Sequence, residues 1–320
     1  MRHLSPRAAE ALGSQRMLAD MKFLTDLPPS VGIGLKPEHY SRVIESASAS
    51  IHTAIPRAID LPGWVEVHPQ NYYSAGGPSH RWLSAIAEKI PLSFHSVGLS
   101  LGSAQGHDRD ELDQLASLCD RYDPASVSDH LSWSGSANNR YPDLLPLPYT
   151  EDALHHFTGQ VSIVQDRLKR PILIENPSRY LAFAEDEMNE AEFLHRLCRE
   201  TGCGVLLDIN NIEVSATNLG LDPRAMIDAI DPGLVGEVHL AGHAREEHEL
   251  GVLLIDDHGS EVSDLTWTLF AHFVGRAGRR PVLIEWDTNI PDYDILIGEA
   301  KKAETIMREQ TAGSRADAVV

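Results

Sequence analysis

Cysteine, basic residues and long apolar stretches are all scarce in this sequence of 320 residues. The three cysteines, Cys119, Cys198 and Cys203, match neither a disulfide framework nor a zinc knuckle, so we expect packing residues in a reducing compartment. No stretch approaches the roughly 18 apolar residues of a membrane-spanning helix, and the N-terminus lacks the apolar core of a signal peptide. A cytoplasmic protein without membrane association is therefore expected.

The shortage of basic residues gives a net charge of −20, from 27 Lys and Arg against 47 Asp and Glu. Nucleic-acid binding depends on Lys and Arg side chains that neutralise phosphates, so this balance argues against a nucleic-acid partner. An excess of carboxylates is compatible with a protein that surrounds cations with acidic side chains. Histidine is plentiful, with 16 residues, and the positions of these residues matter more than their number.

No G-x-G-x-x-G motif follows the first apolar run, which counts against a doubly wound nucleotide-binding sheet, the alternative fold. Eight short apolar runs alternate with longer amphipathic stretches, and the runs are apolar on both faces, as buried parallel strands are. The runs are 31–36, 64–69, 91–97, 125–131, 171–177, 204–210, 236–242 and 281–287. Eight strands alternating with helices over roughly 280 residues predict a (β/α)8 barrel.

The barrel is expected to form one domain over residues 29–310. Residues 1–28 are interpreted as an N-terminal extension and residues 311–320 as a flexible tail. The stretch 132–149, rich in Gly, Asn, Pro and Tyr, is predicted to be an irregular lid or binding loop after the fourth strand. Helical periodicity is clearest at 79–90, 109–122, 150–169, 189–202, 262–278 and 292–309.

Side chains of metal-binding types stand at or near the carboxyl ends of seven strands. In a (β/α)8 barrel these ends converge on the face that holds the active site. Closely packed carboxylates shift one another's pKa values unless cations neutralise them, and imidazole with carboxylate is the ligand set of Fe, Zn, Mn and Co. The side chains are His68, His95, Asp129, His130, Glu175, Asn176, Asp208, Asn211, His239, Glu285 and Asp287, joined by Asp256 and His258 after strand seven. The sequence therefore predicts a site for two or three metal ions.

Taken singly, each of these residues has an ordinary structural explanation. A histidine at a strand end is more often a packing residue, Asp208 is as well suited to cap a helix as to bind a metal, and Asn211 alone is typical of a turn. Asp257 and His243 are interpreted as solvated loop residues, and the histidines at 155–156 as surface or packing residues of a helix. The joint occurrence of ligand types on consecutive strand ends favours the metal site.

The order of motifs resembles the multinuclear non-haem iron-dependent oxidase family, formerly DUF692, which includes the methanobactin biosynthesis oxidase. The resemblance covers residues 28–310 and, more remotely, the layout is similar to trinuclear zinc endonucleases and xylose-isomerase-like barrels. The resemblance implies a xylose-isomerase-like TIM barrel. The motifs are VGIGLKPEHY, EVHPQNYY, FHSVGLSLGS, SDHLSW, LIENPS, LLDINN, EVHLAGH, IDDHG and LIEWD.

Carried over residue by residue, the resemblance implies nine metal ligands. Asp129 and His130 are interpreted as residues that orient ligands or handle protons beside the substrate. Gln70 stands where family members often carry Glu, which leaves any charge at that position in question. The implied ligands are His68, His95, Glu175, Asp208, Asn211, His239, Asp256, His258 and Glu285.

The resemblance also implies an iron- and O2-dependent oxidase that modifies a ribosomally made precursor peptide, commonly at Cys residues. The cofactor would be two or three iron ions in mixed Fe2+ and Fe3+ states, with O2 as co-substrate. Two partners are expected, the precursor peptide and a small protein that binds its leader segment. The alternatives are a metal-dependent phosphodiesterase or endonuclease, a sugar isomerase on the same barrel, and a non-catalytic metal carrier.

Overall fold

The structure, a computed structural model, describes residues 24–52, 62–136, 139–249 and 251–317. The strands in these ranges are β1 (Val31–Gly34), β2 (Val65–Val67), β3 (Leu92–His95), β4 (Ser126–His130), β5 (Trp133–Ser136), β6 (Asn139–Leu145), β7 (Leu173–Glu175), β8 (Gly204–Asp208), β9 (Val235–Leu240), β10 (Ala244–His248), β11 (Gly251–Ile255) and β12 (Val282–Ile284). Eight of them close into a barrel in the order β1, β12, β9, β8, β7, β4, β3, β2.

Helices cover the outside of the barrel. They are α1 (Tyr40–His52), α2 (Pro78–Ala87), α3 (Arg109–Tyr122), α4 (Glu151–Leu168), α5 (Glu190–Thr201), α6 (Ile209–Leu219), α7 (Pro223–Ala229), α8 (Asp264–Ala277) and α9 (Tyr293–Asp317). None of the helices in the described ranges combines the length and the apolar composition that crossing a membrane requires.

The predicted fold class is confirmed, because each of the eight apolar runs overlaps one barrel strand and every barrel pairing is parallel. The six predicted helical stretches are helices as well. Three further helices, α1, α6 and α7, lie outside the predicted stretches. The sequence does not reveal α6 because residues 209–216 are all buried, so no polar face marks the helical period.

The stretch 132–149 is not an irregular loop, in contrast to the prediction. It contains the antiparallel hairpin β5–β6, in which Trp133 pairs with Leu145 and Ser136 with Asn139. Strand β6 is exposed over most of its length, so it lacks the alternation that identifies half-buried strands. A second antiparallel hairpin, β10–β11, follows β9.

The structure describes part of each chain end. Residues 24–28 pack on the amino end of the barrel, where the backbone N–H of Asp26 donates to Ala125 O at 3.0 Å; residues 1–23 of the predicted extension lie outside the described residues. Helix α9 continues to Asp317, past the predicted start of the tail. The flexibility of the tail stays a prediction, and residues 318–320 also lie outside the described ranges.

The interior of the barrel changes from apolar to polar along its axis. At the amino end, Leu27, Trp64 and Leu283 pack together. A Cβ atom on Gly32 would lie 2.4 Å from the Trp64 ring, so this position requires glycine. The apolar layer therefore closes the amino end of the barrel.

A layer of hydroxyls and carboxylates lies above the apolar layer. Ser126 Oγ donates to Glu237 Oε2 at 3.0 Å, and Ser93 Oγ donates to Glu66 Oε2 at 3.1 Å. Strand residues two apart point to the same face, so the residues two positions further on, such as His95 after Ser93, form the next layer towards the carboxyl ends.

Candidate metal centre

A cavity of about 500 Å3 opens at the carboxyl ends of the barrel strands. Hairpin β5–β6 and Tyr180 form part of its rim. Two predicted ligands, Asp208 and His239, are fully buried and lie with their ligand atoms within 4.8 Å of that of Glu175. The predicted site residues that line the cavity are His68, His95, His130, Glu175, Asn211, Asp256, His258, Glu285 and Asp287. The structure therefore brings most of the predicted site together on one face.

Three ligand atoms form a nearly equilateral triangle on the neighbouring strands β3, β4 and β7. His95 Nε2 and His130 Nε2 lie 3.1 and 3.2 Å from Glu175 Oε2, and the two nitrogens are 3.2 Å apart. Each residue is the last of its strand, and His130 is the register partner of Glu175. Atoms that bind one ion at roughly 2.1 Å lie about 3 Å from one another. The triangle therefore has the spacing of one face of a metal's coordination sphere.

The carboxylate and amide groups beside this triangle each have one atom fixed and one unpaired. Asp208 Oδ1 caps α6 by accepting from Asn211 N at 2.7 Å, and Asn211 Nδ2 donates to Glu175 Oε1 at 3.1 Å. Within the described residues, Asp208 Oδ2, Asn211 Oδ1 and Glu175 Oε2 have no hydrogen-bond partner. An unpaired buried polar group costs about 1–3 kcal/mol, and a bound cation would remove that cost. The residues present thus fit a metal ion, and Asp208 both caps a helix and offers a free oxygen.

Further ligand atoms surround Glu285. His239 Nδ1 and His258 Nδ1 lie 3.0 and 3.5 Å from Glu285 Oε2, and His258 Nε2 lies 2.6 Å from Asp256 Oδ1. His258 has a φ of 45°, a left-handed conformation that costs a non-glycine residue on the order of 1 kcal/mol. Its carbonyl accepts the backbone N–H of Asp287 at 2.8 Å. This hydrogen bond helps to hold the strained residue in place.

Burial shifts the pKa values of these groups in the direction that favours neutral forms. Burial raises the pKa of Asp208 well above its usual range, and the charge of Glu175 raises it further; burial also raises the pKa of Glu66 to about 8. Burial lowers the pKa of His95 to about 3 and that of His130 to about 4. Both imidazoles of the triangle are therefore neutral near pH 7, the form that binds metals.

The histidines near Glu285 behave differently. Although burial lowers the pKa of His239, the carboxylates of Glu66 and Glu285 outweigh burial and raise it well above the usual range. Burial likewise opposes protonation of His258, but Asp256 and Glu285 raise its pKa. Protons and metal ions compete for the same imidazole nitrogens, so metal binding at this group would release protons.

The ring centroid of His68 lies 5.8 Å from that of His95, one corner of the triangle, but its Nε2 contacts a carboxylate outside the triangle. Strand β2 ends at Val67, so His68 stands one residue beyond its strand. Its Nε2 lies 3.4 Å from Asp287 Oδ2, and the other oxygen of Asp287 lies 2.5 Å from Lys36 Nζ. The ligand atoms of His68, Asp287 and Glu285 lie within 4.8 Å of one another, but Lys36 already supplies a positive charge there. A Lys–Asp–His chain therefore lines this wall of the cavity.

Asp129 faces away from the cavity, although its neighbour His130 lines it. Adjacent strand residues point to opposite faces, and Asp129 accepts from the backbone N–H groups of His130 at 2.7 Å and Leu99 at 3.3 Å. Burial raises the pKa of Asp129 to about 7. Asp129 has the geometry of a residue that orients its neighbours, whereas His130 has that of a ligand.

Gln70 lies on the cavity wall beside a carboxylate from another element. Its Nε2 donates to Glu111 Oε1 at 2.7 Å and to Ser96 Oγ at 3.0 Å. Tyr73 donates its hydroxyl to the same Glu111 oxygen at 2.9 Å. The wall thus carries a carboxyl group from α3 although position 70 is an amide.

Neither Glu237 nor Glu66 was predicted as a metal ligand. Both lie beneath His239, whose Nε2 is 3.5 Å from an oxygen of each. The signal that identifies Glu237 is the two-residue period of a strand, because Glu237 precedes His239 by two positions and both face the barrel interior.

The interpretation of His243 as a solvated loop residue was wrong. Its side chain is only 9% exposed, and its Nδ1 lies 2.8 Å from Asn210 Oδ1. Asp257, interpreted in the same way, lines the cavity. Of the two helical histidines, His155 is exposed, and His156 Nε2 contacts Ser103 O at 2.8 Å, as expected for surface and packing residues.

Known proteins resemble this chain in sequence and in fold. Residues 30–308 match a family described as "RiPP precursor modification enzyme MbnB/TglH/ChrH", where RiPP denotes a ribosomally synthesised and post-translationally modified peptide. The chain is 44% identical over 288 residues to a UPF0276 protein of Caulobacter vibrioides (strain NA1000 / CB15N), covering 89% of this chain and 98% of that protein. It is 45% identical over 284 residues to a UPF0276 protein of Chromobacterium violaceum, covering 89% and 97%.

Two solved structures share the fold at low sequence identity. L-ribulose 3-epimerase has a TM-score of 0.53 at 15% identity, covering 90% of this chain and 96% of that chain. Endonuclease IV from Thermus thermophilus has a TM-score of 0.51 at 15% identity, covering 89% and 99%. These likenesses concern the fold alone, and they agree with the predicted xylose-isomerase-like barrel.

Proposed function

This chain belongs to the family of RiPP precursor modification enzymes MbnB/TglH/ChrH, and on that premise we propose that it is an iron- and O2-dependent oxidase of a precursor peptide. The observation that carries the proposal is the triangle of His95, His130 and Glu175. Two imidazoles and one carboxylate on a single face leave the opposite coordination positions open, as in non-haem iron oxygenases.

We assign the ligands to two or three neighbouring ions. Glu175, Asp208 and His239 form a second group of ligand atoms within 4.8 Å of one another, and Asp208, His258 and Glu285 form a third. Neighbouring groups share Glu175 or Asp208, and shared carboxylates allow ions to lie a few ångströms apart. The proposed ligands are His95, His130, Glu175, Asp208, Asn211, His239, Asp256, His258 and Glu285.

This set differs in one residue from the ligands implied by the resemblance. His130 enters because its nitrogen completes the triangle. His68 leaves because its ring faces Asp287, which is already paired with Lys36. We propose that Lys36, Asp287 and His68, which contact one another in series, form a hydrogen-bonding wall of the substrate pocket.

Bound iron would supply the electron transfer and the binding of O2. The residues of the chain would position a cysteine side chain of the peptide over the triangle and limit the access of water. A cavity of about 500 Å3 accommodates one side chain with its adjoining backbone. Arg140 and Tyr141 of hairpin β5–β6, together with Tyr180, would contact the flanking peptide at the rim.

The proposed partners are the precursor peptide and a small protein that binds its leader segment. The family description names a precursor as the substrate. The leader-binding protein and the choice of cysteine as the modified residue are inferred from the family resemblance. Such a partner would raise the local concentration of the peptide at the cavity mouth.

Co-expression with a precursor peptide and a leader-binding protein sought among the neighbouring genes tests the proposal. We expect a mass change in the peptide when cells grow aerobically with iron, and none when precursor cysteines are replaced by serine or when the enzyme carries His130→Ala. An unchanged peptide mass with the wild-type, iron-loaded enzyme would contradict the proposed activity.

A further inference from the structure

Asp256 and His258 reach the proposed centre from a loop, whereas the other proposed ligands come from barrel strands or from the turns directly after them. The loop follows β11, the second strand of hairpin β10–β11. The side chain of Asp256 is 17% exposed. A ligand on such a segment requires contacts that fix its position.

We propose that Asn210 and His243 form a clamp that positions Asp256 for metal binding, an inference that rests on the proposed iron centre. Asn210 is fully buried in the first turn of α6, between the proposed ligands Asp208 and Asn211. Its Nδ2 donates to Asp256 Oδ1 at 2.9 Å. One helical turn therefore supplies a ligand, Asn211, and the residue that holds another.

The carboxylate of Asp256 determines which way the Asn210 amide faces, and His243 completes the arrangement. His243 Nδ1 lies 2.8 Å from Asn210 Oδ1, and because a carbonyl oxygen only accepts hydrogen bonds, this nitrogen carries the hydrogen. The amide is thereby fixed with Nδ2 towards Asp256. The reversed amide would direct an oxygen at the Asp256 carboxylate, which also only accepts hydrogen bonds.

The clamp lies beside a helix cap. His243 Nε2 lies 3.8 Å from Glu213 Oε1. The other oxygen of Glu213 accepts hydrogen bonds from Thr266 Oγ1, at 2.6 Å, and from Ser263 Oγ. Ser263 is the N-cap of α8. The clamp thus connects Asp256 to α6 by a hydrogen bond, and its His243 ring packs near the carboxylate that holds the start of α8.

Fixing Asp256 also fixes its distance from the second loop ligand. The oxygen that accepts from Asn210 lies 2.6 Å from His258 Nε2. Without the clamp, Asp256 and His258 are still present, but the distance between their ligand atoms is no longer fixed. Loss of outer contacts of this kind typically lowers metal affinity by about 10–100-fold.

Asn218 offers a matched control two turns further along α6. Its Nδ2 donates to Leu254 O at 3.0 Å, and its Oδ1 accepts from Leu254 N at 2.9 Å. Asn218 therefore attaches α6 to β11, two residues before Asp256, through an amide of the same kind. Its removal loosens the hairpin and leaves the clamp intact.

The test titrates the metal-stripped full chain with Fe2+ without oxygen and measures stoichiometry and affinity. We expect Asn210→Ala and His243→Phe to weaken binding of one ion by about 10–100-fold. His243→Gln retains an N–H donor and should recover most of the affinity, and Asn218→Ala should bind as the wild type does. Circular dichroism and melting curves establish that each variant is folded.

Wild-type affinity in both Asn210→Ala and His243→Phe would overturn the clamp, as would an equal loss in Asn218→Ala. A wild-type chain that binds no Fe2+ would reject the proposed centre and the clamp together. A wild-type chain that binds Fe2+ but leaves the peptide unmodified would reject the proposed activity alone, because the titration contains neither peptide nor O2.

Discussion

The two ends of the barrel are built from the same strands but differ in chemistry. The amino end packs Leu27, Trp64 and Leu283 without a buried charge among them. The carboxyl end buries imidazoles and carboxylates, several of whose atoms have no hydrogen-bond partner within the described residues. The amino end therefore stabilises the folded chain, whereas the buried polar groups of the carboxyl end lower its stability and serve metal binding.

The largest effect is expected at the amino end. Trp64 is fully buried, and its indole N–H donates to Ser30 O at 3.1 Å. Trp64→Ala should lower the free energy of unfolding by about 3–5 kcal/mol through lost contacts and a cavity. Denaturant unfolding measures this loss. Metal content per folded molecule should not change, and a proportional loss of metal would show that the two ends are not independent.

The next effect is expected at the shared carboxylate. Glu175→Gln keeps the shape of the side chain but removes a charge that two ligand groups use, so Fe2+ affinity should fall by about 100-fold or more. Glu190 is a matched control because it is buried elsewhere and accepts a hydrogen bond from Tyr149 at 2.7 Å. Equal metal affinities in Glu175→Gln and Glu190→Gln would show that Glu175 does not bind metal.

Substitution of two histidines, His130 and His68, tests which of them binds metal. His130→Ala removes one corner of the triangle and should reduce iron content by about one ion per chain, whereas His68→Ala should retain iron and lower peptide turnover by about 10-fold. Iron analysis and peptide mass spectrometry measure the two effects. If His68→Ala loses one ion while His130→Ala keeps the full iron content, the ligand set implied by the resemblance is the correct one.

The smallest effect concerns the stability of the metal-free chain. Asp208 is fully buried, and burial disfavours its charged form. Asp208→Asn keeps an oxygen that can cap α6 and removes the charge, so the metal-free variant should be more stable by about 1–2 kcal/mol at pH 7. Thermal melting with a chelator present measures the difference. A metal-free variant that melts lower than the wild type would contradict this expectation.

Much of the fold and of the site follows from one pattern in the sequence. Apolar runs that end in His, Asp or Glu predict both the barrel strands and the face on which the ligands meet. The pattern does not predict helix α6, because the start of this helix is buried on all sides. The pattern does not predict hairpin β5–β6 either, because the exposed strand β6 has no apolar face.

The roles of individual strand-end residues depend on where each strand stops. Both His130 and His68 line the cavity, but β4 extends to His130 and directs it at Glu175, whereas β2 stops at Val67 and His68 contacts Asp287. Strand ends shift by one or two residues without a clear sequence signal. The sequence therefore predicts the set of polar residues better than it predicts which of them contact a metal.

Iron analysis of the wild-type chain, loaded with Fe2+ without oxygen and freed of unbound metal, tests the central claim most directly. We predict two or three tightly bound iron ions per chain. A single ion or none in a folded chain would contradict a centre shared among several strand ends.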